Sequence, residues 1–374
     1  MKEVRLDEIC IVIAGQSPPS DSYNQDKNGV PFFQGKADFG SMYPTVRYWC
    51  NKPTKISLPN DILFSVRAPV GPTNINNIEA CIGRGLSALR CKEDVLEMKY
   101  LLHYLRANEN KISDLGTGST FKAITISELK KLQIPLPPLP QQKKIANILD
   151  AADALRQNDK ALIAKYDELT QALFLDMFGD PVSNPKGWEK VETIKYCDSI
   201  VPGRDKPKSF TGSTPWVTTN DLNHLGKTSI SKSNIGLSDN EILQVKAKII
   251  PEGSVIMTCV GDLGVVTVNT SKMVVNQQLH AFICGPKLKN DFLMYSLSFQ
   301  KPYMYKMSSS TTVPYMNKTV CNNTPTIVPP IELQNQFVER VAVIEEQKAI
   351  AQKSLEKSEE LFNSLLQKAF KGEL

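Results

Sequence analysis

The sequence is poor in the residues that build metal centres and acid–base sites. It has three histidines, His103, His224 and His280, isolated from one another, and its eight cysteines form no CxxC pair. In a chain of this length, scattered cysteines are typical of buried thiols in a reducing compartment, not of zinc ligands or disulfides. We therefore predict no metal site and ordinary structural roles for the histidines.

Motifs for cofactor binding are incomplete. Leu225–Thr228 reads LGKT, like the end of a phosphate-binding loop, but Asp221 occupies the position of the first glycine, so the glycine-rich cradle is lost. Ser17–Ser20 reads SPPS, similar to the Asn/Asp/Ser-Pro-Pro-aromatic loop of amino-methyltransferases, yet Ser20 replaces the aromatic residue that would stack on a base. Both segments are interpreted as turns. We predict no catalytic residue and no cofactor on this chain.

Long apolar runs are absent as well, which excludes a membrane span. The N-terminus, MKEVRLDEIC, has no features of a signal peptide, so a cytoplasmic protein is expected. The net charge is +5, and the basic excess lies in the two non-helical regions. An excess this small fits a surface that binds a polyanion and equally an ordinary solvated surface.

Two long helices dominate the sequence. Gln141–Phe178 contains neither Gly nor Pro, and Leu333–Phe370 has a matching length and pattern. Apolar residues recur three or four positions apart, which puts them on one stripe of each helix. At about 1.5 Å per residue, each rod is roughly 55 Å long. The stripes predict an intramolecular coiled coil. Its expected core is Ile145, Ile148, Leu155, Leu162, Tyr166 and Leu169 with Phe337, Val341, Ile344, Leu355, Phe362 and Leu365.

The chain contains an internal repeat. An offset of about 192 residues aligns Leu136–Leu139 with Val328–Ile331, each just before a long helix, and Leu86–Leu89 with Leu279–Phe282. Two similar units that share one coiled coil are naturally related by a two-fold axis, so antiparallel helices are expected. The predicted fold class is α+β, with two globular domains held apart by a long antiparallel two-helix coiled coil in a pseudo-two-fold repeat. The expected boundaries are 1–140 and 188–332 for the domains, 141–179 and 333–374 for the helices, and 180–187 for the linker.

Several segments carry a family signature. They are LDEICIVIAGQSPPS, PFFQGKADFG and GSTFKAITISELKKLQIPLPPLPQQKKIANILD in the first half, and GWEKV, VVNQQLHAFIC and IVPPIELQNQFVERV in the second. Duplicated and in this order, they resemble the specificity subunit of type I restriction–modification systems over essentially the full chain. The second junction, Pro330–Gln336, is looser than the family's Pro-Pro-Leu-x-x-Gln form, and Thr218–Asp221 stands where the first half has QGKAD.

The resemblance implies two target recognition domains, each reading one half of a bipartite, asymmetric sequence in double-stranded DNA. It also implies that the paired helices act as a spacer and as the dock for two adenine-N6 methyltransferase subunits, which use S-adenosylmethionine. A restriction subunit, which would use ATP and Mg²⁺, is a further implied partner whose presence the sequence leaves open. None of this chemistry is expected on the present chain.

Candidate DNA-contacting residues follow from groove chemistry, in which Gln and Asn pair with adenine while Arg and Lys pair with guanine. In the first domain they are Gln34, Lys36, Arg47, Arg67 and Arg84, and in the second Thr219, Asn220, Lys227, Gln277 and Gln278. A hydroxyl-rich loop before each junction suits phosphate oxygens, with Thr117, Ser119 and Lys122 in the first and Ser309 and Thr311 in the second. Simple surface placement is the alternative for each of them.

Two other functions remain as alternatives. A coiled-coil adaptor whose two similar domains bind proteins instead of DNA would show no sharp loss of DNA affinity with rising salt. A free-standing methyltransferase or nuclease is disfavoured by the missing motifs, and binding of S-adenosylmethionine by this chain would revive it.

Overall fold

The computed structural model describes residues 2–118, 122–203, 205–309 and 312–374. The chain divides into two compact units, Met1–Lys160 with Gln352–Leu374 (unit 1) and Ala161–Ala351 (unit 2). Each unit combines sheets and short helices with segments of two long helices, so the predicted α+β class is confirmed.

Apart from the end of the second long helix, the elements of unit 1 lie before or within the first half of the first long helix. The strands are β1 (Glu3–Arg5), β2 (Cys10–Ala14), β3 (Tyr23–Asn24), β4 (Val30–Phe33), β5 (Tyr48–Cys50), β6 (Ile56–Ser57), β7 (Ile62–Ser65), β8 (Thr73–Ile75), β9 (Ala80–Ile82), β10 (Leu86–Cys91) and β11 (Gln133–Pro135). The helices are α1 (Leu6–Ile9), α2 (Met98–Ala107), α3 (Glu109–Asp114), α4 (Ile126–Lys130) and α5 (Leu139–Phe178), which continues into unit 2.

Two sheets form the body of unit 1. One has the strand order β2-β10-β7-β8, and the other has the order β3-β5-β4-β9-β6. Because successive side chains of a strand point to opposite faces, β7 contributes to two cores. Ile62 and Phe64 pack with the helices, whereas Leu63 packs with Phe33 and Ile82 of the second sheet.

Unit 2 repeats this plan. The strands are β12 (Glu189–Glu192), β13 (Cys197–Ile200), β14 (Thr214–Val217), β15 (Lys227–Thr228), β16 (Gly236–Leu237), β17 (Val255–Thr258), β18 (Val266–Asn269), β19 (Val274–Val275), β20 (Leu279–Cys284) and β21 (Pro325–Val328). The helices are α6 (Asp239–Gln244), α7 (Asn290–Ser298), α8 (Lys301–Met307), α9 (Lys318–Asn322) and α10 (Ile331–Lys371), whose last part belongs to unit 1.

The sheets of unit 2 keep the central strand order of unit 1, but the first gains the edge strand β15 and the second has three strands where unit 1 has five. The strand orders are β13-β20-β17-β18-β15 and β16-β14-β19. In β17, as in β7, alternate residues serve two cores: Val255 and Met257 pack in the core that includes the helices, whereas Ile256 packs with Val275. The repeated strand register supports the internal duplication seen in the sequence.

A buried glutamine joins the long helix of unit 1 to the globular part of that unit. Gln142 is 1% exposed. Its Oε1 accepts from Glu97 N at 2.9 Å, and its Nε2 donates to Val95 O at 3.0 Å and to Pro137 O at 2.9 Å. Since unpaired buried amides are costly, these bonds fix the start of α5 against the segment that leads into α2.

Unit 2 contains the same arrangement at the same sequence offset. The Oε1 of Gln334 accepts from Lys289 N at 2.9 Å, while its Nε2 donates to Lys287 O at 3.0 Å and Pro329 O at 2.9 Å. The second junction therefore has the glutamine of the family pattern, and α10 begins at Ile331, the counterpart of Leu139. The apparent looseness of this junction in the sequence is not present in the structure.

The two long helices pair antiparallel in each unit. In unit 1, Gln141 Nε2 donates to Leu374 O at 2.8 Å, and Ser358 Oγ donates to Asp159 Oδ2 at 2.8 Å. Pairing therefore joins the start of α5 to the end of α10. In unit 2, the rings of Phe174 and Phe337 lie 5.5 Å apart, which joins the end of α5 to the start of α10.

Three predicted core positions of α5 are wrong. Leu155, Leu162 and Leu169 are 54%, 41% and 50% exposed. The inward positions are instead the residues that follow them, Arg156, Ile163 and Thr170, of which Thr170 is fully buried and the other two partly buried. A coiled-coil seam repeats every seven residues, and polar side chains occupy part of it here, so a search for apolar residues chose the adjacent leucines.

The other predicted core residues face inward. On α10, Phe337, Val341, Leu355 and Phe362 are buried, and Ile344 and Leu365 are partly buried. On α5, Ile145 is buried, and Ile148 and Tyr166 are partly buried. The apolar pattern of α10 was the more regular of the two, because polar residues interrupt the seam of α5 more often.

Among the described residues, no helix has the length and apolar character required to cross a bilayer.

Replacing Gln142 with Ala should lower the free energy of unfolding by about 2–5 kcal/mol, because one backbone N–H and two carbonyl groups would lose buried partners. The matched control is Gln157→Ala, an exposed glutamine of the same helix, which should change stability by about 0.5 kcal/mol or less. Denaturant unfolding followed by circular dichroism measures both. Equal effects of the two substitutions would contradict a structural role for the Gln142 bonds.

Candidate nucleic-acid interface

In unit 1, the three chain segments that follow β4, β7 and β9 lie next to one another. The chain turns at Gly83–Gly85, where Gly83 N donates to Phe33 O at 2.8 Å and Val66 N donates to Gly85 O at 3.0 Å. The approach is close, because a Cβ added at Gly85 would lie 2.5 Å from the carbonyl oxygen of Gln34. Arg84 is therefore held beside the loop that begins at Gln34.

The hydroxyl-rich loop lies against the same region. Thr117 and Ala123 exchange two backbone hydrogen bonds of 2.9 Å, and Arg67 forms a β-bridge with Ala123. Ile124 N donates to Val66 O at 3.0 Å, which ties the loop to the end of β7. Thr117 and Lys122 consequently lie on the side of unit 1 that carries Arg67.

We define the loop face of unit 1 as Gln34–Lys36, Arg67, Gly83–Gly85, Thr117 and Lys122. Lys36, Arg67 and Arg84 are exposed, and in the described part of the chain none of them has a carboxylate partner. Lys122 pairs with the exposed Asp114 at 3.3 Å. Unpaired cations gathered on one surface attract a polyanion.

Arg47 supports this face but does not belong to it. Its Nε and Nη2 donate to Oδ1 of the buried Asp38 at 2.9 and 2.5 Å, and this hydrogen bonding raises the pKa of Arg47. The other carboxylate oxygen of Asp38 accepts from Gln34 N at 2.7 Å and Gly35 N at 3.2 Å. These bonds engage the Arg47 guanidinium in positioning the Gln34 loop, and its base-reading role stays a prediction.

Unit 2 builds a matching surface with equivalent backbone bonds. Asn276 N donates to Val217 O at 2.9 Å, the counterpart of the Gly83 bond, and Cys259 N donates to Gln278 O at 2.8 Å, the counterpart of the Gly85 bond. Gln277 therefore occupies the position that Arg84 has in unit 1.

The hydroxyl-rich loop of unit 2 is anchored in the same way. Ser309 N donates to Tyr315 O at 2.9 Å, and Tyr315 bridges Val260 as Ala123 bridges Arg67 in unit 1. We define the loop face of unit 2 as Thr218–Asn220, Val260, Asn276–Gln278, Ser309 and Tyr315. These bonds agree with the expectation that a hydroxyl-rich loop recurs at equivalent places in both halves.

A buried carboxylate holds the first segment of this face. Asp221 Oδ2 accepts from Thr218 N and Thr218 Oγ1, both at 2.7 Å, and its Oδ1 accepts from Lys232 N at 2.7 Å. Burial opposes ionisation of Asp221, but these hydrogen bonds outweigh it and lower the pKa of the carboxyl group. Asp221 thus positions the loop that carries Thr219 and Asn220, as Asp38 positions the loop that carries Lys36.

Lys227 lies apart from the other candidates. It is on the edge strand β15 and forms an ion pair with Asp291 at the start of α7. It lines a cavity of about 160 Å³ together with Tyr295, Val341 and Glu345. Its predicted role as a base reader is therefore not supported by its position, which adjoins the helix pair of unit 2.

Some face residues were missed by the sequence reasoning. Val260 and Tyr315 are neither charged nor amide-bearing, so a search by groove chemistry passed over them. The repeat offset was the available signal, since it aligns Val260 with Arg67. Two candidates, Ser119 and Thr311, lie outside the described residues.

The histidines are separate from both faces. His103 Nε2 is hydrogen-bonded to Asp150 at 2.8 Å, His224 Nδ1 accepts from Val266 N at 3.1 Å, and His280 is buried beside Phe282. Among the described residues, no group of three or more His, Cys, Asp or Glu side chains could hold a metal ion.

Two matched units, each with a polar loop face, define a duplicated recognition protein. A family model described as "Type I restriction modification DNA specificity domain" matches residues 1–165 and again 185–360. The chain belongs to this family. It is a specificity subunit of a type I restriction–modification system, a DNA-recognition component that is not itself an enzyme.

Curated relatives agree with this assignment. A putative type I restriction enzyme MjaX specificity subunit from Methanocaldococcus jannaschii is 46% identical over 167 residues, which are 44% of this chain and 39% of that protein. The MjaIX specificity subunit from the same organism is 26% identical over 84% of this chain and 77% of its own length. The EcoBI specificity subunit of Escherichia coli is 22% identical over 99% and 85%.

Solved structures share the fold. The crystal structure of a type I restriction–modification S subunit from M. genitalium covers 99% of this chain and 96% of its own, with 16% identity and a TM-score of 0.63. A chain from a structural study of complex assembly and conformational transition of the type I system covers 100% and 98%, with 20% identity and a TM-score of 0.58.

Replacing Gly85 with Ala should disturb the loop face of unit 1, because the new methyl group would overlap the Gln34 carbonyl. A loss of about 1–3 kcal/mol in unfolding free energy is expected for such overpacking. Gly35→Ala is the matched control, since a Cβ at Gly35 meets no atom within 4 Å. Thermal or denaturant unfolding compares them, and a Gly85→Ala protein as stable as Gly35→Ala would refute the close packing.

Proposed function

We propose that the chain reads a bipartite, asymmetric DNA sequence, with one half-site on each loop face. The observation that carries this proposal is the repetition of one loop face in both units, built by equivalent backbone bonds but bearing different side chains. The framework is the same and the groups offered to bases differ, so each unit would select its own sequence. Gln34, Lys36, Arg67 and Arg84 of unit 1 and Thr219, Asn220, Gln277 and Gln278 of unit 2 are the proposed contacts.

The hydroxyl-rich loops would position the DNA backbone. Ala123 bridges Arg67 as well as Thr117, and Tyr315 bridges Val260 as well as Ser309, so each loop borders the proposed base-reading residues through one intervening residue. Hydroxyl groups and backbone amides bind phosphate oxygens without regard to sequence. This supports a shared positioning role for both loops, with selectivity left to neighbouring side chains.

We propose that the helix pair is both spacer and dock for two adenine-N6 methyltransferase subunits, which would supply S-adenosylmethionine chemistry. A restriction subunit with ATP and Mg²⁺ would be a further partner. Exposed apolar side chains on the helices support docking: Leu162, Leu169, Val343 and Ile350 in unit 2, and Leu155 and Leu361 in unit 1, are 41–60% exposed. Partner helices would cover these residues, since the seam between α5 and α10 does not.

DNA binding should depend on the loop-face cations and on salt. Affinity for duplex DNA should fall about 100-fold between 50 and 200 mM salt if roughly four phosphates are contacted. The triple variant Lys36→Ala, Arg67→Ala, Arg84→Ala should bind more weakly with a shallower salt slope. Its matched control removes three other exposed cations, with Arg5→Ala, Lys52→Ala and Lys131→Ala.

Fluorescence anisotropy with the assembled complex measures these affinities. Equal losses for the two triple variants would contradict a role of the loop face. A wild-type affinity for duplex DNA that does not change with salt would favour the alternative function, a coiled-coil adaptor that binds proteins. Methyl transfer by the chain without any partner subunit would contradict its assignment as a non-catalytic subunit.

Lengthening both helices should lengthen the unread spacer. Seven residues inserted after Asp159 and seven before Ser358, which face each other in the pair, add about 10 Å, or about three base pairs. Mapping methylated adenines in cells that express the complex would measure the change. Both half-site sequences should stay the same while the spacer grows; altered half-sites or an unchanged spacer would oppose the spacer role.

A further inference from the structure

Equivalent positions of the two loop faces carry side chains with different base preferences. The turn Gly83–Gly85 corresponds to Asn276–Gln278, because the first residue of each turn donates its backbone N–H to the last residue of a strand, and the carbonyl oxygen of the last turn residue accepts from the residue that follows β7 or β17. Arg84 is thereby matched by Gln277. The β-bridges at Ala123 and Tyr315 match Arg67 with Val260 in the same way. Both arginines of unit 1 are therefore replaced in unit 2 by an amide and an apolar residue.

In unit 1, the equivalent turn exposes an arginine, and the neighbouring residues of the turn are glycines without side chains. Arg84 stands between two glycines, and Arg67 follows the end of β7 nearby. Both side chains are exposed, and neither has a carboxylate partner in the described ranges. A guanidinium donates two parallel hydrogen bonds to O6 and N7 of guanine, which is the commonest specific contact in the major groove.

The turn of unit 2 presents amides whose orientation is fixed by hydrogen bonds. Asn276 Nδ2 donates to Gln278 Oε1 at 3.0 Å, and Gln277 Nε2 donates to Gly203 O at 3.2 Å. Gln and Asn side chains match the N6 and N7 edge of adenine, and an apolar group such as the partly buried Val260 suits the thymine methyl.

We propose that unit 1 selects a half-site containing guanine through Arg84 and Arg67, whereas unit 2 selects adenine–thymine pairs at the equivalent places through Gln277, Gln278 and Val260. This inference rests on the proposed reading of DNA by the loop faces. It adds the base class that each face takes and the residues that decide it.

A randomised duplex pool tests the assignment. The complex of the full chain with its methyltransferase subunits selects duplexes from the pool, and sequencing gives the bases enriched in each half-site. Three variants are compared with the wild type: Arg84→Gln, the reciprocal Gln277→Arg, and Arg5→Gln, a control that removes an exposed arginine from β1 of unit 1. All three substitutions replace exposed side chains, and circular dichroism verifies that the variants fold like the wild type.

The expected result is specific to each half-site. Arg84→Gln should lower the preference for one guanine of the first half-site about tenfold or more and leave the second half-site unchanged. Gln277→Arg should replace an adenine preference with guanine in the second half-site alone, and Arg5→Gln should change neither.

Two results would overturn the proposal. If Arg84→Gln weakens binding of all duplexes equally while the wild type still selects a bipartite motif, Arg84 contacts phosphate; the base assignment then fails and the proposed function stands. If the wild-type complex selects no motif at all, the proposed function fails together with the base assignment.

Discussion

Each half of this protein depends on the glutamine at the start of its long helix. The side chain of this glutamine is buried, and its amide group is hydrogen-bonded on both the oxygen and the nitrogen. Gln142 and Gln334 each accept one backbone N–H and donate to two carbonyl oxygens, and both are at most 1% exposed. A buried amide tolerates little displacement, since every lost bond leaves a desolvated polar group. The bonds therefore fix the direction in which a helix leaves its globular domain, and with it the placement of the loop face relative to that helix.

Polar side chains in the seam between the helices are also paired. Arg156 pairs with Asp153 at 2.5 Å and its guanidinium lies 4.5 Å from the ring centre of Phe362, so this partly buried cation keeps its partners inside the seam. Lys348, at the matching place of α10, pairs with Asp167 at 2.5 Å. Polar seam positions set the register of paired helices. They also leave the leucines of α5 on the outside, available to other chains.

The sequence predicted the architecture because its signals were long and repeated. Two helices of some forty residues, the proline-marked junctions and the aligned strands all pointed to one duplicated unit. The seam of α5 was displaced by one residue at Leu155, Leu162 and Leu169, since hydrophobicity alone cannot identify Arg156 and Thr170 as inward residues. Arg47 and Lys227 were chosen as base readers by residue type. Their carboxylate partners, Asp38 and Asp291, lie far enough away in sequence that only the folded chain reveals the pairing.

Duplication followed by divergence at a few exposed positions explains how one framework can serve two recognition tasks. The backbone bonds that form the loop faces are retained, so the positions of the side chains relative to the sheets are retained too. What changes is the chemistry at those positions, as Arg84 against Gln277 illustrates. Arg84 and Gln277 are both exposed, so an exchange of this kind leaves the core unchanged.

Hydrogen–deuterium exchange of the assembled complex, with and without its cognate duplex, tests most directly whether both loop faces meet DNA. The account predicts slower exchange on DNA binding in residues 34–36, 83–85 and 122–124 of unit 1 and also in 218–220, 276–278 and 312–316 of unit 2. Exchange in β1 and β12, which pair with β11 and β21 in two-stranded sheets, should stay unchanged. Protection restricted to one unit, or to the long helices, would contradict it.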